Sequence, residues 1–250
     1  MNILVCLKQT FDTEEKVMIQ EGQICEEGVK FIINPYDEYA VEEAMKLSEQ
    51  FGGEITVVTV GPVRAESALR TALAMGADKA IIVNDETLFG DEYTISKVLA
   101  AVARQIPYDI IIAGYMSVDS GAVQGGPRLA EELGIAHIST VTKLDIEGNQ
   151  LKAERDVEGD VEVIYASLPI LITAQQGLNE PRYPSLMGIM KAKKKPLERL
   201  NADDLGLSAE EVRAKTEIID QFAAPKKPVG RILEGGVEKQ VIELVALLRK

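Results

Sequence analysis

Apolar residues fall into short unbroken runs, separated by longer stretches in which they recur every three or four positions. The runs at 3–7, 55–60, 80–83 and 109–114 predict strands buried on both faces, as in a parallel sheet covered on each side. Between them, Asn34-Pro35-Tyr36-Asp37 opens a helix whose stripe is Ala40, Val41, Ala44, Met45 and Leu47. Proline is tolerated in the first turn, and a carboxylate there can cap free N–H groups. Further helices are predicted at 65–76, closed by Gly76, at 92–105 and at 126–133. This βα alternation predicts an α/β fold, a parallel sheet with flanking helices. From 139 to 168 the pattern changes to short alternating runs broken at Glu-Gly-Asn and Glu-Gly-Asp, which predict an antiparallel hairpin insert. Residues 170–173 can return to the main sheet. A hairpin is expected around Gly22 and Gly28, turns are expected at 201–206 and 208–211, and 237–248 is expected to form an amphipathic helix. The expected division is an α/β domain over 1–200 and a C-terminal helical arm over 201–250.

Crossovers of this kind gather ligand loops at the carboxyl ends of the strands. Here those loops are 7–12, 60–64 and 114–126, and two are rich in glycine. A binding site is expected along that edge.

Composition narrows the function. The 250 residues are 46% hydrophobic and 27% charged, as for an ordinary globular chain. The formal charge of −13 is unevenly spread: 182–199 holds six cations and one acid, which leaves −18 on the rest. An acidic body argues against nucleic acid as the main ligand. The basic run is either a solvated loop or a docking segment. No apolar stretch approaches the ~18 residues of a membrane span, and no secretory signal is visible, so a cytoplasmic protein is expected. Cys6 and Cys25 form no metal motif, and the one histidine, His137, lies in an apolar context expected to be structural. There is no GxGxxG, no phosphate loop of the GxxxxGK[ST] type and no GxSxG elbow. The residues therefore describe a nucleotide-sized site without catalytic equipment. A stand-alone nucleotide-binding module of the universal-stress type remains an alternative, although it leaves the insert, the basic run and the terminal helix unexplained. An ATP-pyrophosphatase would want a Ser-Gly-Gly-x-Asp-Ser loop where Lys8-Gln9-Thr10-Phe11-Asp12 stands.

Three segments go further. Leu178-Asn179-Glu180-Pro181 followed by 182–195 (Arg-Tyr-Pro-Ser-Leu-Met-Gly-Ile-Met-Lys-Ala-Lys-Lys-Lys), the stretch 34–44 and the stretch 69–78 together resemble the beta subunit of electron transfer flavoproteins. The resemblance covers essentially the whole chain in the same element order. It implies an adenine-nucleotide-binding α/β fold and a heterodimer with a larger alpha subunit. That subunit's FAD would carry electrons from flavin-dependent dehydrogenases, such as acyl-CoA dehydrogenases, to a downstream acceptor. The beta subunit would be a carrier rather than an enzyme. It would hold an AMP or, in electron-bifurcating members, a second FAD.

By position in the family, Cys6, Asn34, Val60, Asp119, Ser120, Val123, Gln124, Gly125 and Gly126 would line that nucleotide site, with Phe11 and Tyr36 near the alpha-bound FAD. Two exposed backbone N–H groups at Gly125-Gly126, opening a helix, suit a phosphate. AMP-binding relatives carry Asn-Gln-Thr in place of Val123-Gln124-Gly125. Bifurcating relatives carry Asp-Gly-Asp-Thr-Ala-Gln-Val-Gly, of which only Asp119, Gln124 and a following glycine persist here; this favours AMP. Residues 182–195 match the family's recognition loop, with Arg182, Tyr183, Leu186, Met187, Ile189, Met190, Lys191 and Lys194 as docking residues and Leu186 as the anchor. One apolar knob flanked by cations suits a transient interface. The terminal helix would pack on the alpha subunit.

Overall fold

The structure is a computed structural model that describes every residue except Lys16, Glu21, Ala224, Pro228 and Lys250, together with all side chains among the rest but that of Gln23. In chain order the elements are β1 Asn2–Cys6, β2 Gln9–Phe11, β3 Met18–Gln20, β4 Gln23–Cys25, β5 Phe31–Ile33, α1 Pro35–Phe51, β6 Glu54–Val60, α2 Glu66–Met75, β7 Lys79–Val83, α3 Glu92–Ala103 and β8 Ile110–Gly114. Then follow α4 Gly125–Leu133, β9 Ala136–Glu147, β10 Gln150–Val157, β11 Asp160–Ser167, β12 Ile170–Ala174, α5 Leu186–Ala192, β13 Leu197–Leu200, α6 Ala202–Leu205 and α7 Val237–Leu248.

Nine strands form one sheet in the order β11-β10-β9-β12-β8-β1-β6-β7-β13. From β9 to β13 every neighbouring pair is parallel. Alternate side chains of the parallel strands supply two cores, as period-2 geometry requires. Ile3, Val5, Ile55, Val57, Ile110 and Ile112 face α1 and α2. Leu4, Val58, Ile81, Ile111 and Leu171 face α3 and α4. Burial on both faces is why these runs read as continuous apolar sequence.

The structure meets some expectations and corrects others. The antiparallel insert expected over 139–168 is present as β9, β10 and β11, and it extends the main sheet: β9 runs parallel to β12 and, further along, antiparallel to β10. The basic run, expected as a solvated loop or a docking segment, is partly helical. It contains α5, whose N-cap Ser185 accepts the N–H of Gly188, and it leads into β13, which pairs parallel with β7 at the sheet edge. Helix α3 stops at Ala103, short of 105. His137 is exposed at the start of β9 rather than packed in an apolar setting: the first two residues of that strand, Ala136 and His137, both face outwards, and burial begins at Ile138.

The chain divides into two compact units, one of 1–17 and 26–219, the other of 18–25 and 220–250. The expected boundary at 200 falls inside the first unit, because the segment after α6 is fastened to α3. Thr94 Oγ1 donates to the Val212 carbonyl at 2.6 Å, and Asp91 accepts the backbone N–H groups of Lys215 and Thr216, each at 2.8 Å. With the Thr94 N–H and Thr216 hydroxyl added, these bonds outweigh the upward push of burial and hold the Asp91 carboxyl at about 2. In the second unit, β3 and β4 make a two-stranded hairpin, and α7 has no buried residue.

Candidate functional site

The strand order reverses at β1: the chain steps outwards through β6 and β7, then returns to place β8 on the other side of β1. Such a switch point leaves a crevice beyond the carboxyl ends of the two central strands. Here it is a cavity of about 340 Å³, at the small end of the range for ligand sites.

Four loops wall it. Cys6 ends β1, with Leu7 and Lys8 following it, and Val60 ends β6, with Gly61 and Pro62 following it. Phe89 to Glu92 precede α3, which adds Ile95 and Leu99. Ala113 and Gly114 end β8 and Tyr115 to Ser117 follow it; then Ser120 and Ala122 to Gln124 lead into α4, which opens with Gly125 and Gly126. The crevice thus brings together Cys6, Asn34, Val60, Ser120, Val123, Gln124, Gly125 and Gly126. Asp119 does not line it but reaches it through Lys8, whose Nζ lies 2.8 Å from the Asp119 carboxylate. Burial pushes that carboxyl up, but the Lys8 ammonium together with hydrogen bonds from Ser117 and the Ser120 N–H more than offsets it, leaving Asp119 below the usual range. The Cys6 thiol is pushed up to about 12 by burial, then by the neighbouring Asp37 carboxylate, so it is a neutral wall rather than a nucleophile.

Asn34 organises the loop after β8. Its Nδ2 donates to the Met116 carbonyl at 2.8 Å, and its Oδ1 accepts the Val118 N–H at 3.1 Å. It therefore serves the loop rather than capping α1 by its side chain. The two glycines that open α4 differ. A Cβ at Gly126 would lie 2.5 Å from Thr173 Cγ2 and 3.3 Å from Leu171 Cδ2, so this glycine lets α4 approach β12. A Cβ at Gly125 would meet nothing within 4 Å. Val123 takes a φ of 57°, a costly conformation for a β-branched residue, at the mouth of the crevice.

Phe11 and Tyr36 lie outside the crevice lining. Tyr36 packs edge-on against Tyr115, with ring centroids 4.5 Å apart and planes at 74°. Phe11 is opposite Phe31 in the small β2–β5 ribbon, and the Arg64 guanidinium sits 3.9 Å from the centre of the Phe31 ring.

In the basic run, Tyr183, Leu186, Met187, Ile189 and Met190 are all exposed, Leu186 by 83%, and Lys191 and Lys194 are exposed beside them. Arg182 points the other way. Its Nε and Nη2 reach both oxygens of Glu42 at 2.8 and 2.9 Å, and Nη1 reaches Glu49 at 2.6 Å. Those two carboxylates raise its pKa further, and the guanidinium ties the base of the run to α1. Asn179 does the same through the Tyr39 carbonyl and Glu43.

The Electron transfer flavoprotein domain model matches residues 21–205. Electron transfer flavoprotein subunit beta of Bacillus subtilis is 55% identical over 251 residues, covering all of this chain and 98% of the relative. The chain belongs to the electron transfer flavoprotein family, on its beta-subunit side. The beta subunit of Thermoanaerobacterium thermosaccharolyticum is 40% identical over 99% of this chain and 98% of the relative. Caffeyl-CoA reductase-Etf complex subunit CarD of Acetobacterium woodii is 36% identical over 100% of this chain and 98% of the relative. As a flavoprotein-family member the chain is an electron-transfer component, and no helix among its described residues is long and apolar enough to cross a membrane.

In this family member, sequence reading missed the wall at Phe89 to Glu92, and with it Ile95 and Leu99. The signal was there: β7 is parallel to β6, so the loop that follows it emerges on the same edge as the other three. Lys8 falls within the expected loop 7–12, whereas Asp37, on α1, lies outside every loop expected at that edge.

Proposed function

We propose that this chain is the beta subunit of a heterodimeric electron transfer flavoprotein, that it holds an AMP in the switch-point crevice, and that it docks its dehydrogenases through 182–195. The observation that carries the reading is the full-length match to named beta subunits. The crevice supports the smaller ligand. About 340 Å³ suits a mononucleotide better than a dinucleotide. Among the described residues its one cationic lining residue, Lys8, is already paired with Asp119, while Asp37, Asp91 and Glu92 line the walls. That balance disfavours a triphosphate, which would need more positive charge, and so disfavours the ATP-binding stress-type module. FAD, held mainly by the alpha subunit, would supply the redox chemistry when bound. This chain's residues bind and orient: Gly125 and Gly126 offer N–H groups to a phosphate, and the apolar walls around Phe89, Ile95 and Leu99 take a base.

Docking would use Leu186 as the anchor, with Tyr183, Met187, Ile189 and Met190 around it. Lys191 and Lys194 would steer an acidic partner surface at long range.

A second reading, a bifurcating subunit with a second FAD in place of AMP, is favoured by the full-length similarity to CarD of a caffeyl-CoA reductase-Etf complex. Co-purification with the alpha subunit, followed by release and quantification of nucleotides, separates the two. One FAD with one AMP per heterodimer supports the first reading, two FAD the second, and a flavin-free homodimer loaded with ATP overturns both.

A further inference from the structure

Asp37 stands in the first turn of α1 with 5% of its surface exposed, and it lines the crevice. Both of its carboxylate oxygens are engaged. Oδ2 accepts the Lys8 N–H at 2.6 Å, and Oδ1 accepts the Gly114 N–H at 2.9 Å. These two amides lie at the carboxyl ends of β1 and β8, the strands that flank the switch point. Residue 114 is glycine because a Cβ there would collide with Asp37 Oδ1 and with the Tyr36 backbone. The close approach therefore serves the bond. A buried carboxylate left unpaired is costly, and this one is held by backbone donors and by the positive end of α1.

We propose that Asp37 is a positioning residue of the nucleotide site: its ionised carboxylate joins the two loops that form the crevice floor and sets their spacing for the ligand. The proposal rests on the reading of the crevice as a nucleotide site. Bonded to both amides, the carboxylate fixes where Lys8 and Tyr115 leave their strands. Protonated, it can accept with one oxygen but must use the other as a hydroxyl, which cannot receive both N–H groups with equal strength.

Burial pushes the Asp37 carboxyl up to about 7, against the downward pull of its hydrogen bonds and of Lys8. The other titratable groups around it are Cys6 on β1, Tyr115 after β8, and Tyr36 and Glu38 on its own helix; burial holds the Cys6 thiol neutral through this range. The signs of two effects then differ. A carboxyl raised in the folded state favours folding at low pH, and that contribution is lost as pH rises through about 7. Ligand positioning needs the ionised form and so improves over the same interval. A purely structural role would move stability alone.

The test is calorimetric titration of AMP, and separately of FAD, into the wild-type alpha–beta complex and its Asp37→Asn variant between pH 6 and 8. Asparagine keeps the volume but turns an N–H donor towards one of the two amides. At pH 8 the variant should bind the nucleotide about tenfold more weakly, in line with one unsatisfied buried donor. Its flavin content on the alpha subunit should be unchanged. Wild-type affinity should fall towards pH 6 more steeply than that of the variant, whose residual slope reports the phosphate, which itself titrates near pH ~6. In the wild-type complex, the Lys8 and Gly114 amide resonances should shift together with one midpoint near pH 7, a readout that needs no variant. Equal affinity and equal pH slopes in the two proteins, or amides that do not titrate together, overturn the proposal. If FAD binds and AMP does not, the AMP reading fails while the same comparison with FAD decides the role of Asp37. Binding of neither nucleotide by wild type overturns both.

Discussion

Gly126 presses against Thr173, and Gly125 faces open space. The missing Cβ therefore serves a different end at each: at Gly126 it lets α4 pack on β12, and at Gly125 it leaves space open. Gly126→Ala should therefore lower the melting temperature, by the ~1–3 kcal/mol typical of overpacking. Gly125→Val should keep the wild-type melting temperature and lose AMP affinity. A scanning-calorimetry trace and an AMP titration for each variant decide this, and a Gly126→Ala protein as stable as wild type would refute the packing role. Cys6 invites a similar test. With its thiol pushed up to about 12 and its side chain buried, it should resist iodoacetamide at pH 8 until the chain unfolds, whereas half-buried Cys25 is alkylated first. Mass spectrometry across a urea series reads the order. At this scale the residue types were legible and their directions were not. Arg182 looks like any other cation of its run until Glu42 and Glu49 are seen to hold it.

Helices α2 and α5 are locked together through their ends. Lys195 Nζ donates to the carbonyls of Leu73, Gly76 and Ala77 at 3.1, 3.0 and 2.6 Å, filling the open carboxyl end of α2. In return, Arg70 of α2 donates to the carbonyls of Ala192 and Lys195 at 2.7 and 2.9 Å, closing the end of α5. Burial draws the Lys195 pKa down, as expected of an ammonium spent inside the fold. Its charge is therefore a cap, in contrast to the exposed Lys193 and Lys194 beside it. Lys195→Met should free protected amides over 186–195 by about 1–3 kcal/mol of opening free energy, the usual cost of buried carbonyls left unpaired. Hydrogen exchange read by mass spectrometry checks this, with β1 and β8 unchanged as the internal control. Leu186→Ala should leave exchange alone and instead weaken dehydrogenase docking by about 2 kcal/mol, roughly thirtyfold, if Leu186 is the anchor. Unaltered half-saturation for the dehydrogenase in that variant would return the run to a solvated surface. The βα series itself was legible because each buried strand is a continuous apolar run. Helix α5 was not, because its large apolar side chains face solvent and only Ala192 is buried, so no buried stripe marks its period.

The largest exposed apolar array belongs to the second unit. In α7, Val237, Val241, Ile242, Leu244, Val245, Leu247 and Leu248 are all exposed, and Phe222, Val229 and Ile232 precede them. An apolar surface of that extent marks an interface, here proposed to be with the alpha subunit. Truncation after Ile219 should leave the cores on both faces of the sheet intact, with a cooperative melt, and abolish co-purification with the alpha subunit. A truncated chain that still forms the heterodimer would move the interface elsewhere. For the whole molecule, the sequence by itself determined the class of the fold and the edge on which the site lies. Strand burial dictates composition, and a parallel crossover dictates which strand ends share an edge. It also carried the family, through motifs long enough to be specific. What only the tertiary structure decided is everything that depends on distant segments meeting. The meander joins the main sheet because β9 pairs with β12 as well as β10. The fourth wall of the crevice comes from the loop before α3. Segment 212–216 belongs to the first unit because Asp91 and Thr94 fasten it there. Asp37 becomes a clamp only when Lys8 and Gly114, 29 and 77 positions away, bring their N–H groups to it. Local pattern records which face a residue buries; it holds no record of which remote donor or acceptor will be waiting there.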